Sequence, residues 1–175
     1  MVKKIGVIGC GNIAETYFRS QKYFNNIDFI SCADINEDAA KKCAEKYGIK
    51  QQTVDELLSN DDVDVVLNIT IPQAHYLVTK KTLLSKKHSY CEKPLAITFE
   101  QGKELINLAK KNQLYLGNAP DTFLGGGGQL SRQLIDQDEV GNIILGQFIF
   151  GFPGVETFHH HPDSWYQAGG GPVMD

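Results

Sequence analysis

The stretch Lys3–Ala14, "KKIGVIGCGNIA", begins as a short β-branched run and breaks at Gly9 and Gly11. Ile13, Ala14, Tyr17 and Phe18 then recur at helical spacing, so the segment reads as strand, tight loop and helix. In that setting Gly9, Gly11 and Ala14 fit the pattern GxGxxG/A. The first glycine permits the turn, the second lets a pyrophosphate approach the backbone, and the small third residue lets helix and strand pack closely. Helix-start amides and aligned peptide dipoles then attract the anion without a lysine. Taken alone, a glycine turn between strand and helix is also a common structural device.

Outward from this stretch the alternation repeats. Asp28–Ala33, "DFISCA", reads as a second strand, and Asn36 is placed to cap a helix through "EDAAKKCAEKYG", with Lys46 in its last turn and Gly48 ending it. Thr53 and Glu56 have the spacing of a capping box. Val63–Ile69 is a nearly continuous apolar strand of the kind buried on both faces of a parallel sheet, and Pro72 stops it. A helix is expected over 73–86 and a brief strand over Ser89–Cys91. Thr98 and Gln101 form a second capping box ahead of "ELINLAKKN", and Leu114–Leu116 makes one more strand. Strand-helix alternation with few hairpin signals predicts an α/β fold, a doubly wound parallel Rossmann sheet. It is expected to span 1–119, with 120–175 opening a second α/β domain.

Composition narrows the function classes. With 175 residues, 42% of them hydrophobic, the chain can bury one full core and part of another. A formal net charge of −4 argues against a nucleic-acid binder, whose affinity draws on Lys and Arg. The apolar runs are too short to cross a bilayer, and no signal-peptide pattern opens the chain, so a soluble cytoplasmic protein is expected. Cys10, Cys32, Cys43 and Cys91 show no CxxC spacing, which favours buried free thiols over disulfides or zinc.

Asp34 strengthens the glycine-loop reading. It stands at the end of the second strand, where a carboxylate accepts the ribose hydroxyls of an adenosine and repels a 2′-phosphate. No Arg occurs in "DINEDAAKK". NAD is therefore expected over NADP, although Lys41 and Lys42 keep NADP open. S-adenosylmethionine is the rival nucleotide, but no NPPY-like segment accompanies the loop.

The later motifs, "VDVVLNITIPQAH" and "CEKPLAIT" over Cys91–Thr98, give the whole a specific likeness. Together with the glycine loop, Asp34 and the tail "GGGPVMD", they resemble the Gfo/Idh/MocA family of nicotinamide-dependent sugar oxidoreductases. The resemblance implies that Glu92-Lys93-Pro94 lies beside the nicotinamide at the carboxyl edge of the sheet, with Glu92, Thr70, Pro72 and His75 near the cofactor. His75 could equally sit in the first turn of a helix. Oxidising a secondary alcohol moves a hydride to nicotinamide and a proton off oxygen, so a cation on the hydroxyl stabilises developing alkoxide character. Lys93 is the candidate catalytic and substrate-binding group. The amides of Gly9, Gly11, Asn12 and Ile13 are the candidates for the pyrophosphate. A surface ion pair is the plainer reading of Glu92 and Lys93.

Beyond residue 119 the texture changes. "NIILGQFIFGF", Asn142–Phe152, reads as one long strand opening the second domain. The family resemblance implies a catalytic His motif beginning at Asp175, hence a truncated chain, and homo-oligomers through the completed domain. Gly125–Gly128 either opens a helix, at about 1 kcal/mol per glycine relative to alanine, or forms a hinge, and the resemblance favours the helix. Asp121 and Trp165 are candidate substrate contacts, Trp165 with the alternative of core packing. His159, His160 and His161 alternate faces on an extended segment and do not converge on a metal, so no metal is expected. The expected activity is hydride transfer between NAD(P) and a sugar, inositol or polyol hydroxyl. A non-catalytic NAD-binding sensor, or an inactive fragment, is the alternative.

Overall fold

The structure, a computed structural model, describes residues 2–120, 122–147, 149, 151, 153–157, 162–167 and 170–171. Six parallel strands form one sheet in the order β3-β2-β1-β4-β5-β6. They are β1 (Lys3–Ile8), β2 (Ile27–Ala33), β3 (Lys50–Gln51), β4 (Val65–Asn68), β5 (His88–Cys91) and β6 (Leu116–Asn118). Between them run α1 (Ala14–Ser20), α2 (Glu37–Tyr47), α3 (Val54–Ser59), α4 (Pro72–Leu84) and α5 (Phe99–Lys111). This is the Rossmann order, which reverses direction between β1 and β4.

Strand pleating explains why helices lie on both faces. Val7, Cys32 and Leu67 turn to the side where Phe18 of α1 and Cys43 and Ala44 of α2 pack. Their neighbours Ile8, Ala33 and Val66 turn to the other side, against Leu57 and Leu58 of α3. Aromatic packing closes the first face. Phe18 meets Phe29 edge-on at 5.0 Å and stacks on Tyr47 at 4.3 Å. Leu83, Leu105 and Ala109 form a third cluster between α4 and α5.

The helix ends follow local chemistry. Asn36 accepts the amide of Ala39, and Gly48 ends α2 in the left-handed region at φ 65°. Both capping boxes form, at Thr53 with Glu56 and at Thr98 with Gln101. Pro72 does more than end β4. It occupies the first turn of α4, where its missing N–H has no helical partner to lose.

Four details depart from the sequence reading. β3 was not expected. Its two residues pair only with β2, and so short an edge strand leaves little periodic signal. β6 lies two residues later than expected, because Leu114 and Leu116 pack into the third cluster while pairing to β5 begins at Leu116. α4 ends at Leu84, two residues short of the expected helix. The long strand over 142–152 is absent among the described residues of that segment. Ile144, Leu145 and Ile149 there are 95%, 87% and 80% exposed, and an apolar run makes a strand only beside a neighbouring one.

The chain divides into two compact units, one holding Met1–Ala119 and the other Pro120–Gln167, with Gly170 and Gly171 grouped in the first. In the second unit the glycine run opens a helix, α6 (Gly126–Asp136), with Gly125 at its N-cap. Only Gly128 needs its missing side chain. A Cβ there would stand 2.8 Å from the carbonyl oxygen of Phe123. A short helix α7 (Pro162–Trp165) follows.

Gly9 stands against backbone that cannot give way. Its φ is +106°, and a Cβ would lie 2.6 Å from the carbonyl oxygen of Ile69 and 2.9 Å from the amide nitrogen of Thr70. Both are backbone atoms. Gly9→Ala is expected to lower stability by more than about 2 kcal/mol, read from the midpoint of urea denaturation. An unchanged midpoint would show that β1 does not approach β4 this closely.

Candidate functional site

The strand register sets the site. Ala33, Ile8, Asn68, Cys91 and Asn118 are paired in one row across β2, β1, β4, β5 and β6. The next residue on each strand therefore emerges at one edge. These are Asp34, Gly9, Ile69, Glu92 and Ala119. Five chemically distinct residues are thus assembled along the carboxyl end of the sheet, astride the β1/β4 reversal where open α/β sheets hold ligands.

The glycine loop is tied down from one side. The amide of Gly9 donates to the carbonyl of Ala33 at 2.9 Å. The amide of Cys10 donates to Asp34 Oδ2 at 2.7 Å, and that of Asn36 to Asp34 Oδ1 at 2.8 Å. Asp34 therefore locks the loop to the end of β2. Each carboxylate oxygen keeps a second lone pair for another donor. The amides of Gly11, Asn12 and Ile13 have no hydrogen-bond partner among the described residues. A Cβ on Gly11 would meet nothing within 4 Å. These amides start the turn into α1, where unpaired N–H groups and the helix dipole favour an anion. Of the four amides expected to meet a pyrophosphate, that of Gly9 is thus already paired within the sheet. Gly9 shapes the turn.

On the other side of the reversal, Glu92 is braced. Its amide donates to the carbonyl of Asn68 at 2.8 Å. Its carboxylate accepts the Tyr17 hydroxyl at 2.9 Å and the amide of Lys93 at 2.7 Å. The Tyr17 bond runs from α1 to the end of β5, passing over β4. Asn118 donates its side-chain amide to the carbonyls of Cys91 and Glu92 at 2.8 and 3.1 Å. Lys93 and Pro94 are joined by a cis peptide bond. Lys93 is half-buried on the same edge as the glycine loop.

His75 sits in the first turn of α4, one of the two placements that the sequence left open. It is 1% exposed within α4. Its Nδ1 lies 2.6 Å from the carbonyl oxygen of Pro94 and its Nε2 3.0 Å from that of Thr70. Carbonyl oxygens only accept, so the ring must donate. A neutral imidazole serves one of them and an imidazolium serves both. A ring that donates from Nδ1 ties the Pro94 carbonyl to α4, and one that donates from both nitrogens also ties it to Thr70 at the end of β4.

Asn68 completes this tie and was not singled out in the sequence. Fully buried, its side-chain nitrogen donates to the carbonyl of His75 at 3.1 Å and to the Thr79 hydroxyl at 3.0 Å. Its side-chain oxygen accepts the Thr70 hydroxyl at 2.7 Å. The available signal was an asparagine inside the apolar run "VDVVLNITI". A buried amide needs partners on both sides, which implies a polar network at that strand end. Tyr17 carried a signal only as an apolar helix position; its hydroxyl contact spans 75 residues of sequence.

Thr70 and Pro72 are half-buried at the edge. Asp121, His159, His160, His161 and Asp175 lie outside the described residues, as does the side chain of Trp165. Tyr166 donates its hydroxyl to Glu156 at 2.7 Å within the second unit. Among the described residues, no helix is long and apolar enough to cross a membrane.

The chain is similar to known proteins. The inositol 2-dehydrogenase/D-chiro-inositol 3-dehydrogenase of Lactiplantibacillus plantarum is 31% identical over 114 residues, covering 63% of this chain and 33% of that protein. The myo-inositol 2-dehydrogenase of Thermotoga maritima is 30% identical over 115 residues, 65% of this chain and 34% of that protein. The chain thus spans about a third of the length of these curated relatives. Biliverdin reductase from Synechocystis sp. PCC 6803, solved with biliverdin and NADP+, superposes with a TM-score of 0.69 at 28% identity, over 76% of this chain and 42% of that one. A family model described as "Oxidoreductase family, NAD-binding Rossmann fold" matches residues 3–119, and with that match over most of its length the chain belongs to the Gfo/Idh/MocA oxidoreductase family.

Proposed function

We propose that this chain supplies the dinucleotide site of an oxidoreductase that moves a hydride between NAD and a secondary hydroxyl of a sugar, inositol or related polyol. The observation that carries the reading is the shared edge: an acidic residue, an open glycine loop and a lysine follow strands whose ends are in register. The residues present fit a dinucleotide. Gly11 leaves its surroundings open, three loop amides are unpartnered among the described residues, and Asp34 has acceptor capacity left.

In this reading the amides of Gly11, Asn12 and Ile13 hold the pyrophosphate, and Asp34 accepts the adenosine ribose hydroxyls. Thr70, Pro72 and Glu92 flank the nicotinamide end. When bound, the nicotinamide supplies the hydride acceptor. Lys93 hydrogen-bonds the substrate hydroxyl and stabilises the negative charge that grows on its oxygen as the proton leaves. His75, Asn118 and Tyr17 act through the backbone and through Glu92 to keep that lysine in place. The names of the two inositol dehydrogenase relatives support the polyol class. Homo-oligomers and the substrate-binding roles of Asp121 and Trp165 belong to the same proposal.

A second reading, a nucleotide sensor without turnover, keeps every binding residue and makes Lys93 idle. NADP use is a further variant, and the biliverdin reductase structure was solved with NADP+.

Three outcomes are expected. Gly11→Ala leaves the denaturation midpoint unchanged and weakens NADH at least tenfold by calorimetry, because its new methyl group occupies the open approach; equal affinity would remove the pyrophosphate from this loop. Asp34→Ala weakens NADH more than NADPH, and equal losses would count against the ribose contact. Lys93→Ala lowers polyol-dependent NAD reduction by at least about a hundredfold while NADH affinity stays within twofold. Tight NADH binding by the unaltered chain with no absorbance change across a polyol panel would favour the sensor.

A further inference from the structure

Three thiols converge where the glycine loop meets the core. The sulfurs of Cys10, Cys32 and Cys43 all lie within 4.8 Å of one another. They come from three separate elements: the loop after β1, the strand β2 and the helix α2. Cys32 and Cys43 are buried, whereas Cys10 is half-buried and gives the group an approach from solvent. Val7, Phe18, Phe29 and Leu67 belong to the apolar cluster around them. The site is independent of the dinucleotide reading.

The thiols are not equivalent. The close approach of Cys10 and then Cys32 holds the Cys43 thiol below its ordinary range, and the Cys10 thiol is pushed up by the other two. The sulfurs of Cys10 and Cys32 lie 3.8 and 3.4 Å from the carbonyl oxygens of Ala33 and Ala40. Cys91 is outside the group, and burial raises its thiol to about 12. The thiolate is the form that binds metal.

We propose that Cys10, Cys32 and Cys43 form a binding site for one divalent thiophilic cation of the zinc type. Zinc–sulfur bonds of about 2.3 Å set three thiolates about 4 Å apart around a shared ion, so closing the group needs sulfur movements of less than about 1 Å. Three thiolates and a divalent ion leave one net negative charge. A monovalent ion would leave two in an apolar setting, which costs more. Hard ions such as magnesium prefer oxygen donors. Each coordinating thiol that still carries a proton releases it to solvent, with no change of oxidation state, and water completes the tetrahedron from the Cys10 side. No sequence spacing announces the site, because the ligands stand 22 and 11 positions apart along the chain.

The test titrates the full reduced chain with Zn2+ alone against a chromophoric chelator, with Mg2+ as the control. One equivalent of zinc is expected, with proton release, unaffected by excess magnesium. Cys10→Ala and Cys43→Ala should each weaken zinc by at least ~100-fold, since removing a ligand exceeds the loss from disturbing its supporting contacts. Cys91→Ala should leave it unchanged. Cys10→Ala changes a loop residue, and a measurement without any variant stands beside it: bound zinc should slow iodoacetamide labelling of Cys10, read by peptide mass spectrometry. Absence of tight zinc binding, zinc retained by Cys10→Ala through other ligands such as the histidines at 159–161, or labelling of Cys10 indifferent to zinc would overturn the site.

Discussion

A missing atom organises the carboxyl edge of this sheet. A side chain at Gly9 would collide with the carbonyl of Ile69, so only glycine lets β1 end this close to β4. That closeness occurs where the strand order reverses. Once the turn is made, the Gly9 amide pairs with Ala33 and the Cys10 amide with Asp34. The conformational requirement, a positive φ, and the steric one coincide at a single position. The loop that follows is held at its base, and its next three amides point to no partner among the described residues.

The edge is also knit together from the opposite direction. Asn68 links the end of β4 to α4 through two hydrogen bonds and accepts two more from Thr70, and His75 carries the link on to Pro94. Burying so many polar atoms is favourable only because each finds a partner, and a network of that kind resists piecemeal change. Its geometric product is a fixed course for residues 92–94. Tyr17 adds a tie between that segment and α1 by donating to Glu92. Loop, β4 end and Glu92-Lys93-Pro94 therefore move as neighbours in one bonded frame.

The sheet and its helices were legible because local signals and long-range packing agreed. Asn36, Thr53 and Thr98 cap the helices their spacing implies, and the apolar run at Val63–Ile69 holds the central strand Val65–Asn68. Gly9, Gly11 and Asp34 carried a spacing with a mechanism. What escaped notice depends on contacts between distant residues. Tyr17 and Glu92 meet only after β4 and β5 have stacked beside β1, and the three thiols meet only when α2 folds over β2. His75 was ambiguous for the same reason, since its direction is decided by where Pro94 lies. Asn142–Phe152 failed in the converse way. Its residues have strand preference, but pairing supplies most of a strand's stability, and the described residues offer it no neighbour.

The bracing at residues 92–94 bears on what the site is for. In the proposed site a dinucleotide is held by the loop amides and Asp34, all on the β1 and β2 side of the reversal. A protein that only sensed the nucleotide would gain little from fixing the backbone on the β5 side with His75, Asn118 and Tyr17, because a flexible lysine screens charge about as well as a directed one. Stabilising a developing alkoxide is different. It depends on donor position within a fraction of an ångström, and donors held in advance avoid reorganisation during the reaction. The polar network beneath Lys93 is of the sort that supplies such preorganisation, and for that reason the oxidoreductase reading accounts for more of this edge than the sensor reading does.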